Sequence, residues 1–105
     1  MAELSTLARP YAKAAFEYAV AGKNLKGWSN SLKILVAVCQ SERVLNLLNS
    51  PNSTSAQQAK LMTEICDDEI NEKTKGFVSV LAENKRVKLL PQISKQFEAL
   101  KDNKE

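Results

Sequence analysis

The sequence contains no histidine, and glycine and proline are scarce, with three of each among 105 residues. Without histidine the chain lacks the most common general base and the most common metal ligand of proteins. Scarce glycine and proline disfavour a loop-rich or β-sandwich architecture, because turns depend on these residues. The phosphate-binding patterns G-x-x-x-x-G-K-[ST] and G-x-G-x-x-G are also missing. These absences disfavour an enzyme and predict neither a metal site nor a cofactor site.

Cysteines and long apolar runs are equally few. The two cysteines, Cys39 and Cys66, form no C-x-x-C pair, and each falls on the apolar side of a predicted helix. We therefore expect free, buried thiols, with no histidine to activate either one. No apolar run reaches the roughly 20 residues of a membrane span, and the N-terminus lacks the pattern of a signal peptide. We expect no direct membrane insertion and a cytoplasmic location.

The charge pattern does not point to a nucleic-acid partner. The net charge is only +3, and the densest basic group is Lys85, Arg86 and Lys88. There is no basic stripe with interleaved aromatic residues, which single-stranded nucleic acids require. The acidic run 67–69 is better explained as a solvated helix boundary than as a metal site, because adjacent helical residues point in different directions. A basic nucleic-acid-binding helical domain and a small helical enzyme stay open as rival functions.

Good helix formers are abundant, and 44% of the residues are hydrophobic, enough for one core. Apolar periodicity predicts an all-α fold, a compact bundle of about six helices, forming one domain over 1–105. The helices are expected at about 5–20, 25–40, 55–66, 71–83 and from 89 onward, with a short third helix after Ser41 that buries Val44, Leu45, Leu47 and Leu48. The chain turns wholly polar from about residue 101, which is typical of a domain end or linker.

Several residues predict where these helices begin and end. Pro10 lies inside the first helical stretch, so the regular helix is expected to start near Ala8 or to contain a kink. Gly22 and Asn84 are expected as left-handed C-caps. Ser41 is a predicted N-cap, and the pair Ser55 and Gln58 has the spacing of a capping box.

The first helix has an unusually wide apolar arc for a surface helix. One stripe contains Leu7, Tyr11, Ala14 and Tyr18. Adjacent stripes contain Leu4, Ala8, Ala15 and Ala19, and then Ala12, Phe16 and Val20, leaving Arg9, Lys13 and Glu17 for water. The fifth helix is similar, with Phe77, Val80 and Leu81 on one side and Thr74, Val78 and Ala82 on the other. Either both helices lie at the centre of the bundle, or one stripe of each lines a groove for a partner.

Two passages carry a resemblance to a known family. The stretch 8–19, ARPYAKAAFEYA, resembles the start of bacterial delta subunits of F-type ATP synthase, which are related to the mitochondrial oligomycin-sensitivity-conferring protein. The stretch 81–91, LAENKRVKLLP, is similar to the second hallmark of the family, and the spacing between the two also fits. Lys85 stands where the family has glycine, so another residue or another geometry is expected to make the left-handed turn.

The resemblance implies a non-catalytic stator role at the cytoplasmic side of the bacterial inner membrane. It implies a six-helix bundle whose first and fifth helices form a groove for the N-terminal helix of an alpha subunit. The partner-binding residues expected on this basis are Leu7, Tyr11, Ala14, Ala15, Tyr18, Gly76, Phe77, Val80, Leu81 and Asn84.

The resemblance also concerns the length of the subunit. Full delta subunits continue beyond this domain with a portion that contacts the b subunits of the peripheral stalk. The sequence is therefore expected to be the N-terminal domain of a longer subunit, and contact with the b subunits is expected only through the portion that it does not contain.

Overall fold

The structure, a computed structural model, describes residues 4–66 and 69–104. Within these residues it contains helices and connecting turns and no strand, which confirms the predicted all-α bundle. The six α-helices are α1 (Leu4–Ala21), α2 (Leu25–Cys39), α3 (Glu42–Asn49), α4 (Ser55–Cys66), α5 (Glu72–Glu83) and α6 (Leu90–Lys104), with a 3₁₀ turn at Val87–Leu89 before α6. The radius of gyration is 13.0 Å, as expected of a compact domain of about 100 residues.

The core lies around α6, which packs against both α1 and α2. Helix α4 packs against both α2 and α5. The α1 side of this core consists of four alanines without any exposed surface, Ala8, Ala12, Ala15 and Ala19. Their positions recur every three or four residues, so they form one stripe along the helix. Small side chains let α1 lie close to α6, and the rings of Phe16 and Phe97 meet edge-to-face beside this contact at 6.1 Å.

The starts of α3 and α4 are capped by polar side chains. The Ser41 hydroxyl accepts a hydrogen bond from the Val44 N–H at 3.4 Å, which confirms the predicted N-cap. The capping box of α4 lies one residue earlier than predicted. The Gln57 N–H donates to the Thr54 hydroxyl at 3.1 Å, and the Thr54 N–H donates to the Gln57 side-chain oxygen at 2.9 Å. The predicted Ser55 is already the first residue of the helix, so it cannot serve as the cap.

The left-handed residues at the ends of α1 and α5 are lysines. Lys23 has φ 53° and Lys85 has φ 57°, whereas Asn84 has φ −94° and no described glycine has a positive φ. Lys85 itself therefore makes the turn, and the expectation that another residue or another geometry would make it was wrong. The predictions for Gly22 and Asn84 were wrong by one position, because the left-handed residue of a Schellman motif follows the cap residue.

The hydrogen bonds identify both ends as Schellman motifs. After α1, the Asn24 N–H donates to the Ala19 carbonyl at 2.8 Å, and the Lys23 N–H donates to the Val20 carbonyl at 3.1 Å. After α5, the corresponding bonds run from Arg86 to Leu81 at 2.7 Å and from Lys85 to Ala82 at 3.0 Å. These bonds satisfy carbonyls that have no partner within the helix.

Lys85→Gly is expected to stabilise the fold by about 1 kcal/mol, because an L-residue pays a steric cost in this region that glycine avoids. Lys33→Gly, in the exposed interior of α2, is the matched control and is expected to destabilise by about 1 kcal/mol. Chemical denaturation of the two variants measures both effects. A loss of stability in Lys85→Gly would show that the lysine side chain contributes more than its backbone conformation costs.

Pro10 and the polar C-terminal residues both lie within helices. Helix α1 already begins at Leu4, so the expectation that the regular helix starts near Ala8 was wrong. Since proline has no N–H, the Thr6 carbonyl receives no helical bond from residue 10.

Helix α6 continues to Lys104, so the polar residues 101–104 are helical. That they mark the end of a domain stays a prediction.

Both cysteines are free and buried, as predicted. Burial raises the pKa of the Cys39 thiol from the usual 9.0 to about 11. Burial also raises the pKa of Cys66, and the negative charge of Glu69 adds to this effect. The thiolate form is the nucleophile that reacts with thiol reagents, so labelling of the folded protein should be slow and that of the denatured protein rapid.

These shifts predict a loss of stability at alkaline pH. Because the pKa of Cys39 is higher in the folded state, the unfolded state loses its proton first as the pH rises from 9.0 to about 11. The free energy of unfolding should therefore fall through this window, and the thiol should contribute nothing to pH dependence below it. Denaturation curves across the window measure the slope. The slope should be smaller in Cys39→Ala, and an unchanged slope would contradict the assignment.

Candidate helix-binding groove

An open groove with a volume of about 700 Å³ lies between α1 and α5. The groove is lined by Pro10, Tyr11, Ala14 and Tyr18 of α1, and by Lys73, Gly76, Phe77 and Val80 of α5. Along each helix these residues span about 10 to 12 Å, or roughly two turns. The groove therefore has the length to hold about two turns of another helix.

The groove exists because each of its two helices is apolar on two sides. Helix α1 turns its alanine stripe to the core, and α5 turns Thr74, Val78 and Ala82 inward, all without exposed surface. The two helices make few direct contacts with each other. The second apolar stripe of each helix is thus left to form a wall of the groove, which accounts for the wide apolar arcs in the sequence.

Trp28 of α2 contacts one aromatic ring of each wall. Its indole is only 2% exposed. The ring of Tyr18 stacks on it at 6.2 Å with an interplanar angle of 9°, and Phe77 meets it edge-to-face at 5.7 Å. Aromatic pairs of this kind contribute about 0.5–1.5 kcal/mol each beyond the area they bury. The groove is therefore held open in the free protein, so a partner would not have to create it.

The apolar surface of the groove is exposed to water. Tyr18 is 58% exposed and Val80 is 46% exposed, although both are large apolar residues. Exposed apolar residues that line one groove, in contrast to scattered ones, are typical of an interaction site. A partner in the groove would cover exposed apolar surface of both residues.

Small residues leave space in both walls. A Cβ atom added to Gly76 would meet no atom within 4 Å, so this part of α5 is open. Ala14 occupies the α1 wall with a single methyl group. Because neither side chain extends into the groove, a partner backbone could approach closely at these two positions.

The structure brings together six of the ten residues predicted for partner binding. These are Tyr11, Ala14, Tyr18, Gly76, Phe77 and Val80. Ala15 and Leu81 have no exposed surface and lie in the core, because the next residue along a helix is rotated by about 100°. Leu7 packs partly against the core, the Asn84 amide donates to the Val80 carbonyl at 2.9 Å, and neither residue is among those that line the groove.

Pro10 and Lys73 line the groove but were missed in the sequence. Pro10 precedes Ala14 by four residues, and Lys73 precedes Phe77 by four, so helical spacing alone could have placed both. Only apolar and small residues had been assigned to the groove, and Pro10 had been treated as a helix boundary. The actual lining therefore contains one charged side chain.

A second groove of about 620 Å³ lies on another side of α1, against α6. It is lined by Arg9, Lys13, Phe16 and Glu17 of α1 and by Gln96, Ala99, Leu100 and Asn103 of α6. The sequence had assigned Arg9, Lys13 and Glu17 to water, and all three are exposed. This groove has more charged residues in its lining than the α1/α5 groove. Helix α1 therefore borders two grooves, and a partner could bind in either one.

The described residues contain neither a cluster of metal ligands nor a membrane-spanning helix. Among them, no three histidine, cysteine or acidic residues lie close enough to hold a metal ion. Asp67 and Asp68 of the acidic run lie outside the described residues. No helix within residues 4–66 and 69–104 combines the length and apolar character needed to cross a bilayer. The polar groups of the α1/α5 groove are two tyrosine hydroxyls and one ammonium group, which suit recognition.

These features define an all-α domain with an exposed apolar groove between α1 and α5. The sequence comparisons place this domain in a family: residues 7–105 match the model of the ATP synthase delta (OSCP) subunit, and the chain belongs to that family. The delta subunit is a structural, non-catalytic subunit, so family membership confirms both the resemblance and the prediction that the chain is not an enzyme.

Two curated relatives show how far the likeness extends. ATP synthase subunit delta of Teredinibacter turnerae is 47% identical over 105 residues, and that of Cellvibrio japonicus is 43% identical over 105 residues. Each match covers 100% of this chain and 59% of the relative. The chain thus spans about three fifths of the length of the curated relatives it matches.

Proposed function

We propose that this chain is a stator module of the F-type ATP synthase, and that its α1/α5 groove binds the N-terminal helix of an alpha subunit. The observation that carries the proposal is the preformed apolar groove, with Tyr18 and Val80 exposed on opposite walls. Binding an amphipathic helix in such a groove is a common mode of peptide recognition. The module would hold the catalytic head against the torque of the rotor, which requires affinity and no chemical step.

The groove is large enough for useful affinity. If a partner helix covered about 300 Å² of apolar surface, the gain would be about 7.5 kcal/mol at 25 cal/mol per Å². The entropy that the partner loses when it becomes an ordered helix would reduce this gain. Since Trp28 already fixes both walls, little further cost falls on the groove itself.

Contact with the b subunits of the peripheral stalk belongs to the same proposal. It would be made by the portion of the relatives that extends beyond the match, which leaves the α1/α5 groove free for the alpha subunit. The module would then lie at the cytoplasmic side of the inner membrane, held there by the complex.

Nucleic-acid binding, the alternative function, has less support. Its best basic group is Lys85, Arg86 and Lys88, yet Lys85 forms the turn after α5. The Lys88 ammonium donates to the side-chain oxygen of Asn49 at 2.7 Å. The large exposed apolar residues Tyr18 and Val80 lie in a groove where a phosphate backbone would find a single lysine.

The test is titration with a synthetic peptide of the alpha-subunit N-terminus, with a scrambled peptide as control. Trp28 touches both walls, so its fluorescence should change on binding. Amide shifts should be largest near Ala14, Gly76 and Val80. Shifts centred on Ala99 and Leu100 would instead place the peptide in the α1/α6 groove, and the absence of binding would contradict the proposal.

A further inference from the structure

We infer that the helix bound in the α1/α5 groove carries a carboxylate that pairs with Lys73 at one end of the groove. The inference rests on the proposed function. It adds the chemical group that the partner carries and the residue of this chain that recognises it. Lys73 is the only charged residue among the eight that line the groove. A partner that filled the apolar part would place its next polar side chain beside this ammonium group.

Lys73 has no ion pair within the described residues, where the salt bridges are Lys60 with Glu64 and Lys75 with Glu72. Its neighbour Glu72 lies 3.7 Å from the Lys75 ammonium. Lys73 is exposed, and its charge is available to a molecule in the groove. No ion pair within residues 4–66 and 69–104 therefore accounts for a cation at this position.

The position of Lys73 in α5 is unfavourable for the fold. It is the second residue of the helix, where the backbone dipoles already create positive potential. An acidic residue would suit this turn better than a lysine. A carboxylate from a partner would be attracted by both the ammonium group and the helix end. The positive charge of Lys73, which is unfavourable in the free fold, would thus stabilise the complex.

The attraction would act through charge, with little direct bonding to the backbone. The Thr74 N–H, which could have bound an anion, already donates to the Asn71 side-chain oxygen at 2.9 Å. The Lys73 ammonium is then the main donor that the partner carboxylate would meet. This makes the side chain of Lys73 the element that selects an acidic partner.

Gly76 fixes where the carboxylate should lie along the partner. Gly76 follows Lys73 by three residues, or about 4.5 Å along α5, and faces the same groove. The partner backbone comes closest at the open space over Gly76. The partner should therefore be an amphipathic helix with an Asp or Glu three or four positions from the residue over Gly76, at the end of its apolar stripe.

The experiment compares Lys73→Gln with Lys75→Gln, which removes a charge from the same helix outside the groove. The probe is the alpha-subunit N-terminal peptide. At low salt, Lys73→Gln should weaken binding about two- to five-fold, as for an exposed ion pair, and the difference should vanish in about 1 M salt. Lys75→Gln should bind like the wild type. Thermal stability of Lys73→Gln should be unchanged or slightly raised, since the lysine does not help the fold.

A double-mutant cycle identifies the carboxylate. Each Asp and Glu of the peptide is replaced in turn by Asn or Gln and titrated against the wild type and Lys73→Gln. One replacement should weaken binding to the wild type and have no further effect on Lys73→Gln. Equal losses for every carboxylate, or for Lys75→Gln, would show a general attraction to a basic protein and overturn the inference.

Two other outcomes separate the inference from the proposed function. If the peptide binds the wild type and Lys73→Gln equally at low salt, the groove is a docking site but Lys73 does not select the partner, and the inference alone is overturned. If the wild type binds no peptide at all, the proposed function and the inference are overturned together.

Discussion

Ala14→Asp should lower the affinity for the alpha-subunit peptide by about 100-fold or more while the free domain stays folded. Ala14 is half-buried in the α1 wall of the groove, so in the free protein the carboxylate would retain contact with water. A bound helix would remove that water from an unpaired charge, and a 100-fold loss corresponds to about 2.7 kcal/mol. The free energy of unfolding should fall by about 1 kcal/mol or less. Peptide titration and thermal unfolding measure the two effects separately.

Matched variants test whether the effect belongs to the α1/α5 groove. Val80→Asp on the opposite wall should behave like Ala14→Asp. Ala99→Asp makes the same change in the α1/α6 groove, and Lys13→Asp places a negative charge beside it. Both of these should bind nearly as well as the wild type. If Ala99→Asp lost binding and Ala14→Asp did not, the peptide would occupy the α1/α6 groove and our assignment would be wrong.

Ala15→Asp should prevent the domain from folding. Ala15 has no exposed surface and belongs to the alanine stripe that packs in the core. An aspartate there would be buried without a partner or would push α1 away from α6, and either effect costs several kcal/mol. The total stability of a domain this size is about 5–15 kcal/mol. Circular dichroism should show loss of the cooperative thermal transition.

Ala14→Asp is the matched control for this second prediction, because it makes the identical change one residue away. The two variants together test the assignment of the stripes of α1 to core and groove. A cooperative transition in Ala15→Asp within a few degrees of the wild type would mean that Ala15 does not face the core. The contrast between neighbours follows from the rotation of about 100° per residue along a helix.

Most of the fold was predictable because each helix carries its own periodicity. The apolar spacing of α2, α4 and α5 placed their ends within one or two residues of those observed. Ser41 was predictable as an N-cap because serine bonds the amide three residues on. Thr54 and Gln57 were not predicted, because the sequence offers the same spacing one residue later and only the backbone path distinguishes the two.

The candidate site was predictable in part. The wide apolar arc of α1 predicted that the helix has two covered faces or one covered face and one open one. It could not predict which, since periodicity relates side chains to one another and not to neighbouring helices. Ala15 and Leu81 were therefore assigned to the groove although they face the core, and Lys73 was missed because only apolar and small residues had been assigned to the groove.

By itself, the sequence determined the all-α class and, through two passages, a resemblance that the comparisons confirmed as family membership. Those properties depend on residue type and local spacing, which a single chain displays in full. Only the tertiary structure decided that the stripe with Ala15 faces α6 and that the stripe with Ala14 faces a groove. It also decided that Lys23 and Lys85 take the left-handed turns. The physical reason is that packing between segments distant in the chain sets the rotation of each helix and the path of each connection. The periodicity of a single helix does not depend on this packing and so cannot reveal it.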